Sequence, residues 1–294
     1  MHVLTTVDHW RAWREGLKVA PVLVPTMGNL HQGHLSLVKQ AQELAAPTGA
    51  PVVVSIFVNR LQFAPGEDFN TYPRTLAQDV QLLEGIGCQA LFAPTESTFY
   101  PQPQGCLVVP PTELADILEG AFRPGFFTGV CTVVHKLFNI IQPQAAVFGK
   151  KDYQQLMVIR HMVQQMALPI AIHGSETLRA DDGLALSSRN GYLTPQERSQ
   201  ATALQVALNA VQQALSTLQA NGAQAVTPAA LLQLETQAQQ SLTELGWLPD
   251  YVSIRRQSDL LAPDAQQLLE GVPLVALAAA KLGSTRLIDN LELV

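Results

Sequence analysis

The chain has 294 residues, of which 47% are hydrophobic and 14% charged, and its formal net charge is −6. This length suggests about two domains, with ample residues for a large core. The acidic balance argues against a general nucleic-acid binder or a protein that binds anionic membranes, although it leaves room for a local basic pocket that holds a phosphorylated ligand.

The three cysteines are widely spaced and form no C-x-x-C pair. This pattern argues against a disulfide framework and a zinc ribbon, and it fits a reducing compartment. The N-terminal segment lacks the continuous apolar core of a signal peptide, and no run approaches the ~18 apolar residues of a membrane span. We therefore expect a cytoplasmic protein that has no membrane segment.

The first 175 residues alternate between short apolar runs and helical patterns. The runs are continuous in Val, Ile, Leu and Ala, which is typical of parallel strands that are buried on both faces. The predicted strands are residues 19–24, 52–58, 90–92, 107–109, 145–148 and 170–172, and the predicted helices are residues 34–46, 74–87, 130–141 and 153–167. This succession predicts an α/β fold with a Rossmann-like, doubly wound parallel sheet.

After about residue 176 the pattern changes. A polar loop of residues 179–190 precedes Thr194-Pro195, which begins a helix to about residue 220. Further elements follow: a helix from Thr227-Pro228 to near residue 246, a strand at 251–254, a short helix at 264–269 and a strand at 273–278. We predict two domains, residues 1–176 and a smaller α+β C-terminal domain of residues 177–294.

The loop between the first predicted strand and its helix is the clearest candidate for a ligand site. It reads Met27-Gly28-Asn29-Leu30-His31-Gln32-Gly33-His34. A helix N-terminus offers unpaired N–H groups and about half a positive charge to an anion, the two glycines allow close approach, and the two imidazoles can donate to phosphate oxygens. We predict a phosphate site. Structural histidines or half of a metal site are the alternatives, but the metal interpretation lacks further ligands.

Polar segments also follow two other predicted strands. Asn59-Arg60-Leu61-Gln62 comes after one, and the segment from Gly149 through Lys151 and Asp152 to Gln155 comes after another. Because carboxyl ends of parallel strands meet at one edge of a sheet, these segments are expected to share one crevice with the loop. Lys151 offers a charge to phosphate, and the glutamines suit a hydroxy acid. Exposed surface residues remain the alternative at each position.

The segments VPTMGNLHQGH, SIFVN-x-x-QF, YPRTL, RPG-x-F-x-GV, FG-x-KDYQQL and DGLALSSRNGYLT, in that order, resemble the pantothenate synthetase (pantoate–β-alanine ligase) family of the H-x-G-H nucleotidylyltransferases. The match is dense from Val24 to Thr194 and fainter to LAAAKLGSTRLIDN. The resemblance implies condensation of pantoate with β-alanine through pantoyl adenylate, which releases pyrophosphate and AMP. It also implies ATP, Mg²⁺ and a homodimer, with the N-terminal domain binding ATP and pantoate and the C-terminal domain closing over the site.

The resemblance further implies the site residues. The catalytic set is His34, His31 and Lys151. The ATP-binding set is Met27, Gly28, Asn29, Leu30, His31, Gln32, Gly33, His34, Gly149, Lys150, Lys151, Asp152, Leu178, Leu186, Ser187, Ser188 and Arg189. Gln62 and Gln155 would hold pantoate, Asn59 would lie near β-alanine, and Asp79 is a candidate for helping to hold Mg²⁺.

Three positions depart from the family pattern: Arg60 stands where Pro is usual, Phe126 replaces His, and Lys150 replaces Glu. Arg60 and Lys150 make the surroundings of the site more positive, so we expect stronger phosphate binding or slower pyrophosphate release. Two other functions stay open: a different H-x-G-H nucleotidylyltransferase that acts on a phosphorylated acceptor, and a nucleotide-binding module without catalysis. The glutamine pair favours an unphosphorylated acid.

Overall fold

The structure, a computed structural model, describes residues 1–64 and 66–293. These residues form two compact units. The first comprises the described residues within 1–64, 66–150 and 155–178, and the second comprises residues 151–154 and 179–293. The short segment 151–154 therefore groups with the C-terminal part of the chain.

The first unit is built on a parallel sheet. Its strands are β1 (His2–Leu4), β2 (Val22–Thr26), β3 (Val52–Ile56), β4 (Ala90–Phe92), β5 (Ala145–Gly149) and β6 (Ala171–Ser175). They lie in the order β1-β4-β3-β2-β5-β6, and every pairing among the described strands is parallel. The central strands are buried on both faces, as their continuous apolar runs predict. The predicted α/β fold is confirmed.

Helices cover both faces of this sheet or extend its loops. They are α1 (Val7–Glu15), α2 (Gln32–Ala45), α3 (Leu76–Gly85), α4 (Glu96–Phe99), α5 (Thr112–Ala115), α6 (Glu119–Phe122), α7 (Phe126–Ile141) and α8 (Tyr153–Gln165). In α2, Leu35, Val38 and Ala41 recur at three-residue spacing and are buried against β2 and β3. This packing holds the first turn of α2 at the carboxyl end of β2.

The connections of the sheet create a switch point beside β2. Strands β2 and β5 are neighbours, yet the chain leaves β2 toward β3 on one side and leaves β5 toward β6 on the other. In open α/β sheets, ligands bind in the crevice outside the carboxyl ends of the strands where the order reverses. The loops that follow β2 and β5 lie at that position.

The second unit pairs helices with a small antiparallel sheet. Its helices are α9 (Pro195–Gln200), α10 (Ala203–Ala220), α11 (Pro228–Glu244) and α12 (Ala265–Leu269), and its strands are β7 (Leu248–Arg256), β8 (Leu274–Leu282) and β9 (Thr285–Leu293). The strand order is β7-β8-β9 with antiparallel pairing. Leu208 of α10, Leu242 of α11 and Ile254 of β7 lie in one buried core, so this unit has its own hydrophobic centre.

Several elements differ from the sequence predictions. The predicted strand at 107–109 is wrong: the segment pairs with no strand, Leu107 and Val109 are exposed, and the Val108 N–H donates to Thr132 Oγ1 at 3.0 Å. Strand propensity reflects fit to a half-buried sheet surface, which this segment lacks. The single helix predicted to residue 220 is two helices that are separated at residues 201–202, and β9 was not predicted.

No helix within residues 1–64 and 66–293 is long and apolar enough to span a lipid bilayer.

Candidate active site

Two histidines cap the helix that follows β2. His31 is the N-cap of α2, with extended backbone dihedrals (φ −136°, ψ 177°), and its Nδ1 accepts the Gly33 N–H at 3.1 Å. In return, His34 Nδ1 accepts the His31 N–H at 3.3 Å. This reciprocal arrangement is a capping box in which imidazoles replace the usual Ser or Thr and Glu or Gln. The histidines are thus fixed at the helix N-terminus by its own backbone.

The same hydrogen bonds define which ring nitrogen carries the proton. Because Nδ1 of each ring accepts from a backbone N–H, a neutral imidazole must carry its proton on Nε2. The His31 and His34 ring centroids are 4.1 Å apart, and both residues are partly buried. Two adjacent Nε2–H donors at a helix N-terminus, where the dipole is positive, are suited to an anion with several oxygens.

A buried carboxylate holds the loop that leads to these histidines. Asp79, at the start of α3, is 1% exposed. Its Oδ1 accepts the Leu30 N–H at 2.8 Å, its Oδ2 accepts the Asn29 N–H at 3.0 Å, and Thr75 Oγ1 donates to Oδ2 at 3.2 Å. Asn29 needs such support, since its φ of 51° is unusual for a residue with a side chain. These contacts favour a loop-holding role over the predicted metal role.

Glycine is required just before Asn29. Gly28 has a φ of 83°, and a Cβ there would come within 3.0 Å of Ile56 Cγ2 and 3.1 Å of Asp79 Oδ2. From the sequence, Gly28 was expected to allow close approach of a phosphate; the structure adds a second cause within the loop itself.

The segment after β3 forms a polar cluster with the loop after β2. Residues Arg60–Gln62 make a 3-10 turn that Asn59 caps by accepting the Leu61 N–H at 3.3 Å. Asn59 Nδ2 donates to Gln62 Oε1 at 3.1 Å, and Gln62 Nε2 lies 2.9 Å from Met27 Sδ. The structure therefore brings together Asn59, Gln62 and Met27, as predicted from their strand ends. Asn59 is 1% exposed and its role beside β-alanine stays a prediction.

Gly129 of α7 allows this turn to lie against the helix. A Cβ at Gly129 would overlap the Leu61 carbonyl group, and the Gly129 carbonyl accepts from Asn59 Nδ2 at 3.1 Å. The sequence motif RPG-x-F-x-GV contains this glycine, but only the fold shows what it touches. Gly129 thus belongs to the framework of the cluster.

The segment after β5 begins with Gly149 and continues as a 3-10 turn, Lys150–Asp152. In the second unit, Asn290 Nδ2 donates to the Lys151 carbonyl at 2.8 Å, and the Tyr153 hydroxyl donates to Glu292 Oε1 at 3.0 Å. Strand β9 therefore holds the backbone that carries Lys151. Gln155 follows in α8 and is partly buried.

The predicted triphosphate loop lies in the second unit. Ser187 caps the 3-10 turn Ser188–Tyr192, and its Oγ accepts the Arg189 N–H at 3.2 Å. Arg179, at the start of this segment, forms two hydrogen bonds with Asp289 at 2.6 and 2.9 Å. Leu186 is partly buried, and Leu178, at the end of the first unit, is 41% exposed. Their roles toward ATP stay predictions.

The charges introduced by the family departures have nearby carboxylate partners. Arg60 Nε lies 2.8 Å from Glu96 Oε1, and this hydrogen bond lowers the pKa of Glu96. Lys150 Nζ lies 2.6 Å from Glu176 Oε1. Each added positive charge therefore has a carboxylate within ion-pair distance, and its effect on phosphate binding or pyrophosphate release stays a prediction.

The third departure, Phe126, has a role in packing. The Arg123 guanidinium lies 3.8 Å from the centre of its ring, and Arg123 Nη2 is 2.7 Å from Glu67 Oε2. A cation over an aromatic face is attractive. Phe126 therefore contributes to the turn that precedes α7.

Comparisons with known proteins show the family to which the chain belongs. The sequence matches the pantoate-beta-alanine ligase family over residues 2–292. The pantothenate synthetase of Leptothrix cholodnii (strain ATCC 51168 / LMG 8142 / SP-6) is 62% identical over 269 residues, which are 92% of this chain and 91% of that protein.

Two crystal structures share the fold along nearly the whole chain. The pantothenate synthetase from Thermus thermophilus has a TM-score of 0.88 and 40% identity, with 99% of both chains covered. The pantoate-beta-alanine ligase from Francisella tularensis, complexed with beta-gamma ATP and beta-alanine, has a TM-score of 0.78 and 32% identity, with 99% of this chain and 97% of that chain covered. The chain therefore belongs to the pantoate-β-alanine ligase family, the enzymes that condense pantoate with β-alanine in an ATP-dependent reaction.

Proposed function

We propose that this chain carries out that condensation at the carboxyl ends of β2, β3 and β5, through a pantoyl-adenylate intermediate. The observation that carries the proposal is the capping box of His31 and His34, which fixes both imidazoles at the N-terminus of α2 beside the switch point of the sheet. Its location and its donors fit a nucleoside triphosphate.

In the first step, a pantoate carboxylate oxygen attacks the α-phosphorus of ATP. The new O–P bond forms as the bond from that phosphorus to the bridging oxygen of the β-phosphate breaks, and pyrophosphate leaves with the electron pair. Negative charge increases on the phosphate oxygens during this step, and fixed donors stabilise it. We assign this stabilisation to His31, His34 and Lys151, with His34 as the donor nearest the reacting phosphate.

In the second step, the β-alanine amine attacks the acyl carbon of the adenylate, the amine loses a proton, and AMP leaves as pantothenate forms. Adenylation is necessary because a free carboxylate has no adequate leaving group. Gln62 and Gln155 are proposed to hold pantoate, and Asn59 is proposed to lie near β-alanine. The Gln62–Asn59 hydrogen bond of 3.1 Å supports placing these two contacts side by side.

The remaining ATP contacts are proposed from their places in the sequence. The loop residues Met27, Gly28, Asn29, Leu30, Gln32 and Gly33 would surround the phosphates, and Gly149, Lys150 and Asp152 would lie near the ribose and phosphates. Leu178 and Leu186 would lie by the adenosine, and Ser187, Ser188 and Arg189 would bind the triphosphate. Residues 177–294 would then act as the domain that closes over ATP and protects the acyl adenylate from water.

Magnesium is proposed to enter with ATP. Within the described residues, no group of three His, Cys, Asp or Glu side chains is placed to hold a metal ion, and both Asp79 oxygens already accept hydrogen bonds. Mg²⁺ commonly binds through substrate phosphates with few protein ligands. When bound, it would reduce the negative charge of the triphosphate, and no step above depends on a protein-held ion.

The homodimer and the cytoplasmic location are proposed from the family resemblance. The absence of a C-x-x-C pair among the three cysteines is compatible with a reducing compartment.

Product analysis with ATP, Mg²⁺, pantoate and β-alanine, each omitted in turn, tests the function. We expect pantothenate and AMP in equal amounts only in the complete mixture, because the amine attacks only an acid that has been adenylated. Without β-alanine, pyrophosphate should not exceed the enzyme concentration. If the complete mixture gives no pantothenate, and a parallel mixture with a phosphorylated acceptor in place of pantoate gives a nucleotide adduct, the proposal is contradicted and a nucleotidylyltransferase is supported.

A further inference from the structure

The side-chain amide of Asn59 has a single orientation, which two backbone groups impose. Its Nδ2 donates to the Gly129 carbonyl at 3.1 Å, and its Oδ1 accepts the Leu61 N–H at 3.3 Å. A carbonyl oxygen only accepts and a backbone N–H only donates, so turning the amide over would break both hydrogen bonds. Asn59 is 1% exposed, and burial excludes water that would replace them.

The orientation of the Asn59 amide fixes the orientation of the Gln62 amide. The second Nδ2 proton of Asn59 is donated to Gln62 Oε1 at 3.1 Å, so that oxygen must be the acceptor of the Gln62 amide. Gln62 Nε2 then lies on the other side, 2.9 Å from Met27 Sδ. An NH₂ group has two protons and a thioether sulfur is a weak acceptor. Across residues 1–64 and 66–293, Met27 Sδ is the one acceptor in contact with Nε2.

Tyr100 supports the same orientation from outside the turn. Its hydroxyl donates to Asn59 Oδ1 at 2.9 Å. The ring is held by Phe99 and Phe57, with centroid distances of 4.9 and 5.6 Å, and Lys136 Nζ lies 4.6 Å from the ring centre. Burial raises the pKa of Tyr100, so the hydroxyl keeps its proton at neutral pH and continues to donate.

We propose that Tyr100 is a positioning residue that acts through Asn59 to present Gln62 as a hydrogen-bond donor to the hydroxy-acid substrate. The inference rests on the proposed function, in which Gln62 holds pantoate. A carboxylate oxygen only accepts, and a hydroxyl oxygen can accept. A carboxamide that is not held also presents its carbonyl oxygen, which repels a carboxylate. The series of hydrogen bonds from Tyr100 through Asn59 to Gln62 therefore selects an acid that places an acceptor oxygen beside Gln62 Nε2.

A double-mutant cycle on pantoate-dependent exchange of pyrophosphate into ATP tests the inference. Tyr100→Phe keeps the ring and removes the donor. We expect it to raise the KM for pantoate about 5-fold, within the range for one net hydrogen bond. The KM for ATP and kcat should change less than about 2-fold. Because Tyr100 acts through Gln62, Tyr100→Phe combined with Gln62→Ala should match Gln62→Ala alone within about 2-fold.

If the losses multiply in the double variant, Tyr100 acts independently of Gln62 and the inference is overturned. It is also overturned if Tyr100→Phe raises the KM for ATP as much as the KM for pantoate. Tyr251→Phe, in strand β7, is the matched control for removal of a tyrosine hydroxyl and should behave as the wild type. Thermal unfolding of each variant shows whether it is folded at the assay temperature.

Gln62→Glu provides a second test that leaves Tyr100 and Asn59 intact. A glutamate still accepts from Asn59 but replaces the donor with an acceptor, so calorimetry should detect weaker pantoate binding than in Gln62→Ala. Equal or tighter binding in Gln62→Glu would overturn the inference. If the wild-type protein showed no pantoate-dependent exchange, the proposed function itself would be contradicted. The failure of the inference and the failure of the proposed function therefore give different results.

Discussion

A single side chain, the Asp79 carboxylate, holds two residues of the loop between β2 and α2. It accepts the N–H groups of Asn29 and Leu30, which are 50 and 49 residues away in the sequence. In the part of the chain that the structure describes, no Lys, Arg or His nitrogen lies within ion-pair distance of it. The polar contacts between Asp79 and the loop are therefore hydrogen bonds, and their polarity is essential because two donors face one acceptor group.

Asp79→Asn should weaken ATP binding because the new NH₂ group would face a backbone N–H. A buried donor left without an acceptor costs about 1–3 kcal/mol, so we expect the KM for ATP to rise about 10-fold or more. The KM for pantoate should change less. Steady-state kinetics of adenylation at saturating pantoate measures the effect.

Gln78→Ala is the control for that measurement, since Gln78 is the exposed neighbour of Asp79 on α3. It should leave both KM values unchanged. A wild-type KM for ATP in Asp79→Asn would show that the loop keeps its shape without the carboxylate.

Among single residues, the sequence predicted those whose contacts are with residues close to them in the chain. His31 and His34 stand in a recognisable loop, and their mutual capping needs only neighbouring backbone groups. The holding role of Asp79 and the contacts of Tyr100 depend on partners that are distant in sequence. An acidic residue near YPRTL is equally compatible with a metal ligand and a backbone acceptor, and burial with two N–H partners distinguishes them.

Among the elements, strand β9 has an importance that the sequence did not indicate. Its Asp289 is 5% exposed and paired with Arg179, and its Asn290 holds the Lys151 carbonyl. Buried polar residues interrupt the apolar alternation by which a strand is recognised. The strands β3, β4 and β5 lack such residues over most of their length, and their positions were predicted within one or two residues.

Asn290→Ala should slow adenylation because it releases the backbone that carries Lys151. We expect a loss of about 10-fold in kcat, smaller than the roughly 10²–10³-fold loss for Lys151→Ala. The double variant should resemble Lys151→Ala alone if Asn290 acts through Lys151. Single-turnover release of pyrophosphate measures all three.

Asn221→Ala, an exposed asparagine that ends α10, is the matched control and should have wild-type kinetics. If the losses in kcat for Asn290→Ala and Lys151→Ala multiply in the double variant, Asn290 does not act through Lys151.

For the whole molecule, the order of the strands explains how residues from separate motifs come to lie near one another. The loops after β2 and β3 meet through Gln62 and Met27, and β5 lies beside β2 at the switch point. The ordered motifs of the sequence were sufficient to identify the family, which the match over residues 2–292 confirms. The ion pairs of Arg60 and Lys150 were not predictable, since they depend on Glu96 and Glu176 approaching them in the fold.

The two capping histidines are proposed to serve the adenylation of pantoate. Exchange of labelled pyrophosphate into ATP measures that step without β-alanine. We predict that exchange requires pantoate and that His34→Ala lowers its rate roughly 10²–10³-fold, as expected for the loss of one donor to a developing oxyanion. Exchange that proceeds without pantoate in the presence of a phosphorylated acceptor, or a wild-type rate in His34→Ala, would contradict the account.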